Sequence, residues 1–151
     1  MSKQDRVIEI HYVDDDPDDL EIFTDVVNSM ADETTASIAL HTYRGGDCLL
    51  DKMGTKPPEN AIVLLDINMP LKDGFEVLKD IRSNSFLKTI PVVMYSTSNN
   101  PDAVKECMKL GANLYAVKPS SFNALKEIIK KVIGYDWSHS ETDVKRFLLG
   151  G

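Results

Sequence analysis

Short apolar runs alternate along the chain with longer segments in which apolar residues recur every three or four positions. The runs are typical of buried strands, and the wider spacing is typical of helices with one buried face. The predicted strands span residues 7–13, 37–43, 61–65, 91–96 and 114–117. The predicted helices span residues 17–30, 46–53, 74–83, 101–110 and 122–133. Each strand is followed by a helix, so the pattern predicts five consecutive β/α units.

This order of elements predicts an α/β protein, with a parallel sheet that is covered by helices on both faces. The run over residues 61–65 is continuously apolar, as expected for a strand that is buried on both sides. In such folds the functional residues lie at the carboxyl ends of the strands, near the point where the strand order reverses.

The pattern changes after Gly134. Residues 140–143 form an approximate capping box, and Val144, Phe147 and Leu148 give a short amphipathic segment, so a short helical tail is predicted. Residues 135–151 are too few for a second domain, and we interpret them as a C-terminal extension without a separate output domain.

Composition and charge exclude several classes of protein. The 151 residues carry 24 acidic and 17 basic side chains, for a net charge of −7. This charge repels a phosphate backbone, so sequence-independent nucleic-acid binding is not expected. The N-terminus has no apolar signal core, and no apolar run is long enough to span a bilayer. We therefore expect a cytoplasmic protein that does not associate with membranes.

Reactive side chains follow or close four of the predicted strands. They are Asp14 and Asp15 after the first, Asp66 after the third, Ser96 at the end of the fourth and Lys118 after the fifth. Because parallel strands end at one edge of a sheet, these groups are expected to meet in one pocket. Two carboxylates ~5 Å apart repel by about 3 kcal/mol at an effective dielectric of ~20, so a cation is expected to neutralise them. Oxygen ligands favour Mg²⁺ or Mn²⁺ over zinc, and such a site suits phosphoryl transfer to a carboxylate.

Four motifs make the sequence resemble the receiver domain of two-component response regulators. They are VDDD over 13–16, VLLDINMPLKDG over 63–74, VVMYST over 92–97 and LYAVKP over 114–119. They occur in this order, and each closes a predicted strand, so the resemblance covers residues 6–134. It implies a flavodoxin-like, doubly wound sheet of five parallel strands in the order 2-1-3-4-5, with five flanking helices.

The resemblance implies a phosphoacceptor and a metal site. Asp66 matches the aspartate that accepts the phosphoryl group. Asp15 matches a direct Mg²⁺ ligand, and Asp14 matches its acidic partner, which usually acts through water. Asn68 matches the position whose backbone carbonyl completes the metal site.

The resemblance also implies a conformational switch. Ser96 matches the hydroxyl that moves to the phosphoryl group, and Lys118 matches the lysine that pairs with it. Tyr115 matches the aromatic residue whose ring turns inward when the hydroxyl moves. The peptide bond between Lys118 and Pro119 is often cis in receivers. Catalytic roles are thus assigned to Asp66, Ser96 and Lys118.

Asp16, Asp18 and Asp19 are interpreted as negative charge favourable at a helix N-terminus, with Asp16 the one most expected to touch the site.

The resemblance implies a signalling protein that promotes only its own phosphorylation and dephosphorylation. The phosphoryl donor would be a sensor histidine kinase or a histidine phosphotransfer protein. The output would be a changed protein-interaction surface or onward phosphotransfer. The extension with Trp137 is similar to that of small receivers that partner phytochrome-type histidine kinases, some of which form homodimers. An alternative stays open, namely a degenerate receiver that binds a partner regardless of phosphorylation.

Overall fold

A parallel sheet with helices on both faces organises the protein. The computed structural model describes residues 7–33, 37–53, 59–138 and 144–149. Within them the strands are β1 (Val7–Val13), β2 (Ser37–Tyr43), β3 (Ala61–Leu65), β4 (Val92–Ser96), β5 (Leu114–Val117) and β6 (Leu148–Leu149). The helices are α1 (Pro17–Ser29), α2 (Gly46–Met53), α3 (Gly74–Ser83), α4 (Pro101–Lys109), α5 (Phe122–Ile133) and α6 (Val144–Phe147). Neighbouring strands pair in parallel, in the order β2-β1-β3-β4-β5-β6.

The predicted β/α units are all present, and the flavodoxin-like order of the first five strands is confirmed. Three predicted bounds differ by one residue from the observed ones, at the ends of α1 and α4 and at the start of β4. Met30 and Leu110 fall outside α1 and α4 because they are the C-caps, whose backbone N–H groups bond back to the last turn.

The sheet contains a sixth strand, so the expectation of five strands was wrong. Leu148 and Leu149 of β6 pair with Tyr115 and Ala116 along the outer edge of β5. A two-residue strand is too short to show any alternation in the sequence, and its pairing supplies hydrogen-bond partners that the edge of β5 would otherwise lack. The predicted helical tail is confirmed as the four residues of α6. The approximate capping box at 140–143 lies outside the described residues.

Two apolar layers, one on each face of the sheet, hold these elements together. Helices α2, α3, α4 and α6 pack on one face, and α1 and α5 pack on the other. Strand β3 supplies alternate residues to the two layers, with Ala61, Val63 and Leu65 in the first and Ile62 and Leu64 in the second. This burial on both faces explains why the sequence of β3 has no polar position.

Side-chain caps fix where the helices begin. Asp16, Asp73, Asn100 and Ser121 accept hydrogen bonds from backbone N–H groups at the start of α1, α3, α4 and α5. Gly111, directly after the C-cap of α4, has a φ of 99°, a left-handed conformation that favours glycine. None of the described helices combines the length and apolar character needed to cross a membrane.

Candidate functional site

The carboxyl ends of four strands bring the predicted site residues together. Backbone hydrogen bonds continue the strand pairing just past the strand ends. The N–H of Asp66 donates to the carbonyl of Val13 over 3.0 Å, and the N–H of Lys118 donates to the carbonyl of Ser96 over 2.8 Å. Asp66 and Lys118 are thereby anchored to neighbouring strands, which fixes their positions at the edge of the sheet.

The Lys118 ammonium lies among three carboxylates. Its Nζ is 2.6 Å from Asp14 Oδ2 and 2.8 Å from Asp19 Oδ2. A third carboxylate oxygen, Oδ1 of Asp66, is 3.6 Å away. Burial alone would lower the pKa of Lys118, but the hydrogen bonds to Asp14 and Asp19 outweigh it and hold the pKa above its usual range. The side chain is therefore a fixed positive charge at the centre of the site.

Asp14 is fully buried, and both of its carboxylate oxygens are occupied. The Tyr12 hydroxyl donates to Oδ2 over 2.6 Å, and the backbone N–H of Asp16 donates to Oδ1 over 3.0 Å. Burial, and then the bond to Asp14, raise the pKa of Tyr12 far above its usual range, so its hydroxyl stays protonated and donates. Tyr12 thus orients Asp14.

Asp14, Asp15 and Asp66 form a compact cluster of carboxylates. One oxygen from each lies within 4.8 Å of the others. Burial, supported by the neighbouring Asp14 and Asp15 and opposed by Lys118, raises the pKa of Asp66 to about 6. The single ammonium therefore does not neutralise the cluster. Three oxygen donors with excess negative charge suit a hard divalent cation such as Mg²⁺ or Mn²⁺, so the residues present fit the expected metal.

The loop that follows Asp66 is tightly folded. Its ends meet where the Gly74 N–H donates to the carbonyl of Ile67 over 2.8 Å. A Cβ at Gly74 would lie 2.4 Å from the carbonyl oxygen of Asp66 and 2.7 Å from Ile67 Cα, so only glycine allows this approach. Asn68 lies in this loop, two residues after Asp66, with its side chain exposed.

Ser96, the last residue of β4, and Tyr115, the second residue of β5, are both fully buried. The Ser96 hydroxyl oxygen accepts a hydrogen bond of 3.3 Å from the backbone N–H of Ser98. The Tyr115 hydroxyl donates to the carbonyl of Ser98 over 2.6 Å. Ser98 therefore links the two residues for which the sequence predicts a switch, and the ring of Tyr115 already lies inside the domain.

Two expectations about this region were wrong. The placement of Asp16 at a helix N-terminus is confirmed, since its exposed side chain is the N-cap of α1 and accepts from the N–H of Asp18 over 2.9 Å. The expectation that Asp16 is the one of the three aspartates most expected to touch the site was wrong, because Asp19 reaches it. The described residues contain no cis peptide bond, so the bond between Lys118 and Pro119 is trans.

Sequence reasoning missed two contributing residues, although each carried a signal. Tyr12 lies two positions before Asp14, which directly follows β1, so both side chains point to the same side of the sheet. Asp19 lies four positions before Phe23, which is buried on the inner face of α1.

Known proteins with similar sequences include response regulators. Rcp1, a response regulator of Synechocystis sp., is 42% identical over 85 residues, which are 56% of this chain and 56% of that protein. The chain thus matches just over half the length of this curated relative.

Solved structures are similar over most of the chain. The Mn²⁺-bound form of response regulator Rcp1 has a TM-score of 0.71 and 30% identity, covering 85% of this chain and 96% of that one. The phosphorylated cyanobacterial phytochrome response regulator RcpA has a TM-score of 0.70 and 31% identity, covering 83% and 90%. The sequence model of the response regulator receiver domain family matches residues 10–130. The matched residues include Asp14, Asp15, Asp66 and Lys118. The chain therefore belongs to the response regulator receiver domain family.

Proposed function

We propose that the chain accepts a phosphoryl group on Asp66 from a phosphohistidine of a sensor histidine kinase or histidine phosphotransfer protein. The observation that carries this proposal is the position of Asp66, which is 5% exposed, beside two further carboxylates and 3.6 Å from the Lys118 ammonium. A buried carboxylate with a raised pKa and too little neighbouring positive charge needs a functional reason. The similar proteins, among them a phosphorylated phytochrome response regulator, support the same function.

In the proposed reaction a carboxylate oxygen of Asp66 attacks the phosphorus, and the bond from phosphorus to the histidine nitrogen breaks. Lys118 would pair with a phosphoryl oxygen, since a small movement away from Asp14 and Asp19 brings its ammonium to Asp66. Asp14, Asp15, Asp66 and the backbone carbonyl of Asn68 would hold Mg²⁺, which would neutralise charge between the carboxylates and the phosphoryl oxygens.

The same geometry supports a route for the signal. In the proposal the Ser96 hydroxyl moves to the phosphoryl group, which breaks its hydrogen bond with the N–H of Ser98. Because the Ser98 carbonyl also holds the Tyr115 hydroxyl, this movement would pass to Tyr115 and to the surface of α4, β5 and α5. The signal would leave through a protein partner at that surface or by onward phosphotransfer. A homodimer stays a prediction, which analytical ultracentrifugation of both phosphorylation states tests.

Intact mass after incubation with acetyl phosphate and Mg²⁺ tests the proposal. The wild-type protein should gain one phosphoryl mass. The gain should disappear in Asp66→Asn and in the presence of EDTA, and should persist in Asp51→Asn, which removes an exposed aspartate and the same charge.

A wild-type protein that gains no mass is tested next with a purified phosphohistidine donor. Transfer from that donor to Asp66 would support the proposal and would show that the site accepts the phosphoryl group from the protein donor but not from acetyl phosphate. Failure of transfer from both sources would overturn it and favour the phosphorylation-independent adaptor.

A further inference from the structure

A second cluster of potential ligands lies within the sheet, away from the strand ends. Glu9 and His11 stand two positions apart on β1 and therefore point to the same face. His41 is paired with His11 in the register of β1 and β2. One ligand atom from each of these three residues lies within 4.8 Å of the other two.

Both imidazoles direct Nε2 at the same carboxylate oxygen. The distance to Glu9 Oε1 is 3.0 Å from His11 Nε2 and 3.5 Å from His41 Nε2. Zinc bonds to nitrogen and oxygen of about 2.0–2.1 Å at tetrahedral angles place ligand atoms about 3.4 Å apart. The two observed distances lie on either side of that value and within about 0.4 Å of it, so the carboxylate and each imidazole are close to the spacing that a metal requires.

One rearrangement is needed. The two imidazole rings are stacked with centroids 4.6 Å apart and planes 9° apart, so a metal cannot lie in both ring planes at once. His41 is the residue that can tilt, because β2 is the edge strand of the sheet and the His41 side chain is 33% exposed. His11 is buried and keeps its position.

A supporting hydrogen bond orients His11 for ligation. Its Nδ1 lies 2.8 Å from the Tyr43 hydroxyl, so Nδ1–H donating to that oxygen would leave the Nε2 lone pair directed at the cluster. Burial lowers the pKa of His11 against the opposing effect of Glu9, with His41 and Lys52 acting in the same direction as burial. Histidine must be uncharged to bind a metal, and burial favours that form.

We propose that Glu9, His11 and His41 bind Zn²⁺ or a chemically similar transition-metal ion such as Ni²⁺ or Cu²⁺. Two imidazoles and one carboxylate favour these ions over Mg²⁺, which prefers oxygen ligands. Three protein ligands leave a fourth position for water. Bound there, the metal ties the edge strand β2 to β1. The competing state has no metal, and in it His11 Nε2–H donates a hydrogen bond to Glu9 while His41 Nε2 lies 3.5 Å from the same oxygen.

Calorimetric titration with Zn²⁺, in the presence of excess Mg²⁺ to occupy the cluster around Asp66, tests the proposal. Wild type should bind one equivalent, and His41→Ala should bind at least about tenfold more weakly. Tyr43→Phe keeps the ring but removes the supporting hydroxyl, so it should weaken binding about tenfold. His139→Ala and Cys48→Ser are controls that should bind like wild type. Cobalt(II) should give the visible absorption of a tetrahedral site in wild type, and His41→Ala should lose it.

Folding is checked by circular dichroism, and His41→Gln is a second variant that keeps a polar side chain at this partly exposed position. Absence of zinc binding in excess Mg²⁺ overturns the proposal. Equal affinity in wild type and in folded His41→Ala also overturns it, because the ion would then lie elsewhere.

Discussion

Replacing Asp66 by asparagine is expected to stabilise the metal-free protein at neutral pH. The pKa of Asp66 rises from 3.8 to about 6, mainly because the carboxyl group is buried. Each pKa unit corresponds to about 1.4 kcal/mol, so keeping this carboxylate ionised in the folded state costs about 3 kcal/mol. Asparagine has the same shape and no charge, and it should recover most of that free energy of unfolding. For a chain of this length the midpoint of thermal unfolding should rise by about 6–12 °C.

The stability difference between Asp66→Asn and the wild type depends on pH in a direction that follows from the raised pKa of Asp66. Because the folded pKa lies above the unfolded one, the cost is absent below about pH 3.8, grows as the pH rises, and is complete above about pH 6. The advantage of Asp66→Asn should therefore shrink as the pH falls towards 4. It should also shrink when Mg²⁺ is added, because the cation offsets the negative charge in the wild type.

Urea unfolding in EDTA, followed by the fluorescence of Trp137, measures the difference. Asp51→Asn is the matched control, because it changes the net charge equally at an exposed position and should leave the free energy of unfolding nearly unchanged. Asp66→Asn at or below wild-type stability near pH 7.5 would refute the reasoning, since the buried carboxylate would then carry no electrostatic cost.

Three further predictions concern the parts that support the site. Gly74→Ala forces a Cβ against the Asp66 carbonyl, so urea unfolding should show a loss of about 1–3 kcal/mol, and an unchanged value would contradict the close contact. Phe147→Ala empties a fully buried position and should lower the free energy of unfolding by up to about 3–5 kcal/mol, with a smaller loss in Phe147→Leu. Amide hydrogen exchange in β5 should become faster, and unchanged exchange would argue against packing of the C-terminal segment on β5. Asp19→Asn removes one partner of Lys118 and frees its ammonium for the phosphoryl group. The phosphorylated fraction, measured by intact mass under limiting acetyl phosphate, should rise about two- to fivefold. A lower fraction would contradict the inference that Asp19 competes with the phosphoryl group for Lys118.

The sequence predicted the five β/α units because each buried strand is an uninterrupted or alternating apolar run, and each helix has a regular apolar face. The strand order then followed from the motifs, and it places Asp14, Asp66 and Lys118 at one edge. Strand β6 escaped prediction because two leucines carry no periodicity, and the partner strand of such a segment is chosen by tertiary packing alone.

Individual contacts within the site were harder to predict than its location. Three aspartates follow one another closely at the start of α1, and which one reaches Lys118 depends on the rotation of that helix against the sheet. The structure selects Asp19, which shares the inner face of the helix with Phe23, while Asp16 is used as the cap. The position of the Tyr115 ring depends likewise on a hydrogen bond to Ser98 that no sequence pattern reveals.

Strand β6 changes what another polypeptide can do at this side of the molecule. An unpaired strand edge offers a template for strand addition, and four-residue β5 would be such a template if β6 were absent. In the folded protein that edge is covered by two residues, anchored by fully buried Phe147. Any incoming strand must compete with this internal segment and expose an aromatic side chain before it gains its own hydrogen bonds. Promiscuous edge-to-edge pairing at β5 is therefore disfavoured, and only a partner that also replaces the buried aromatic contact can displace the tail.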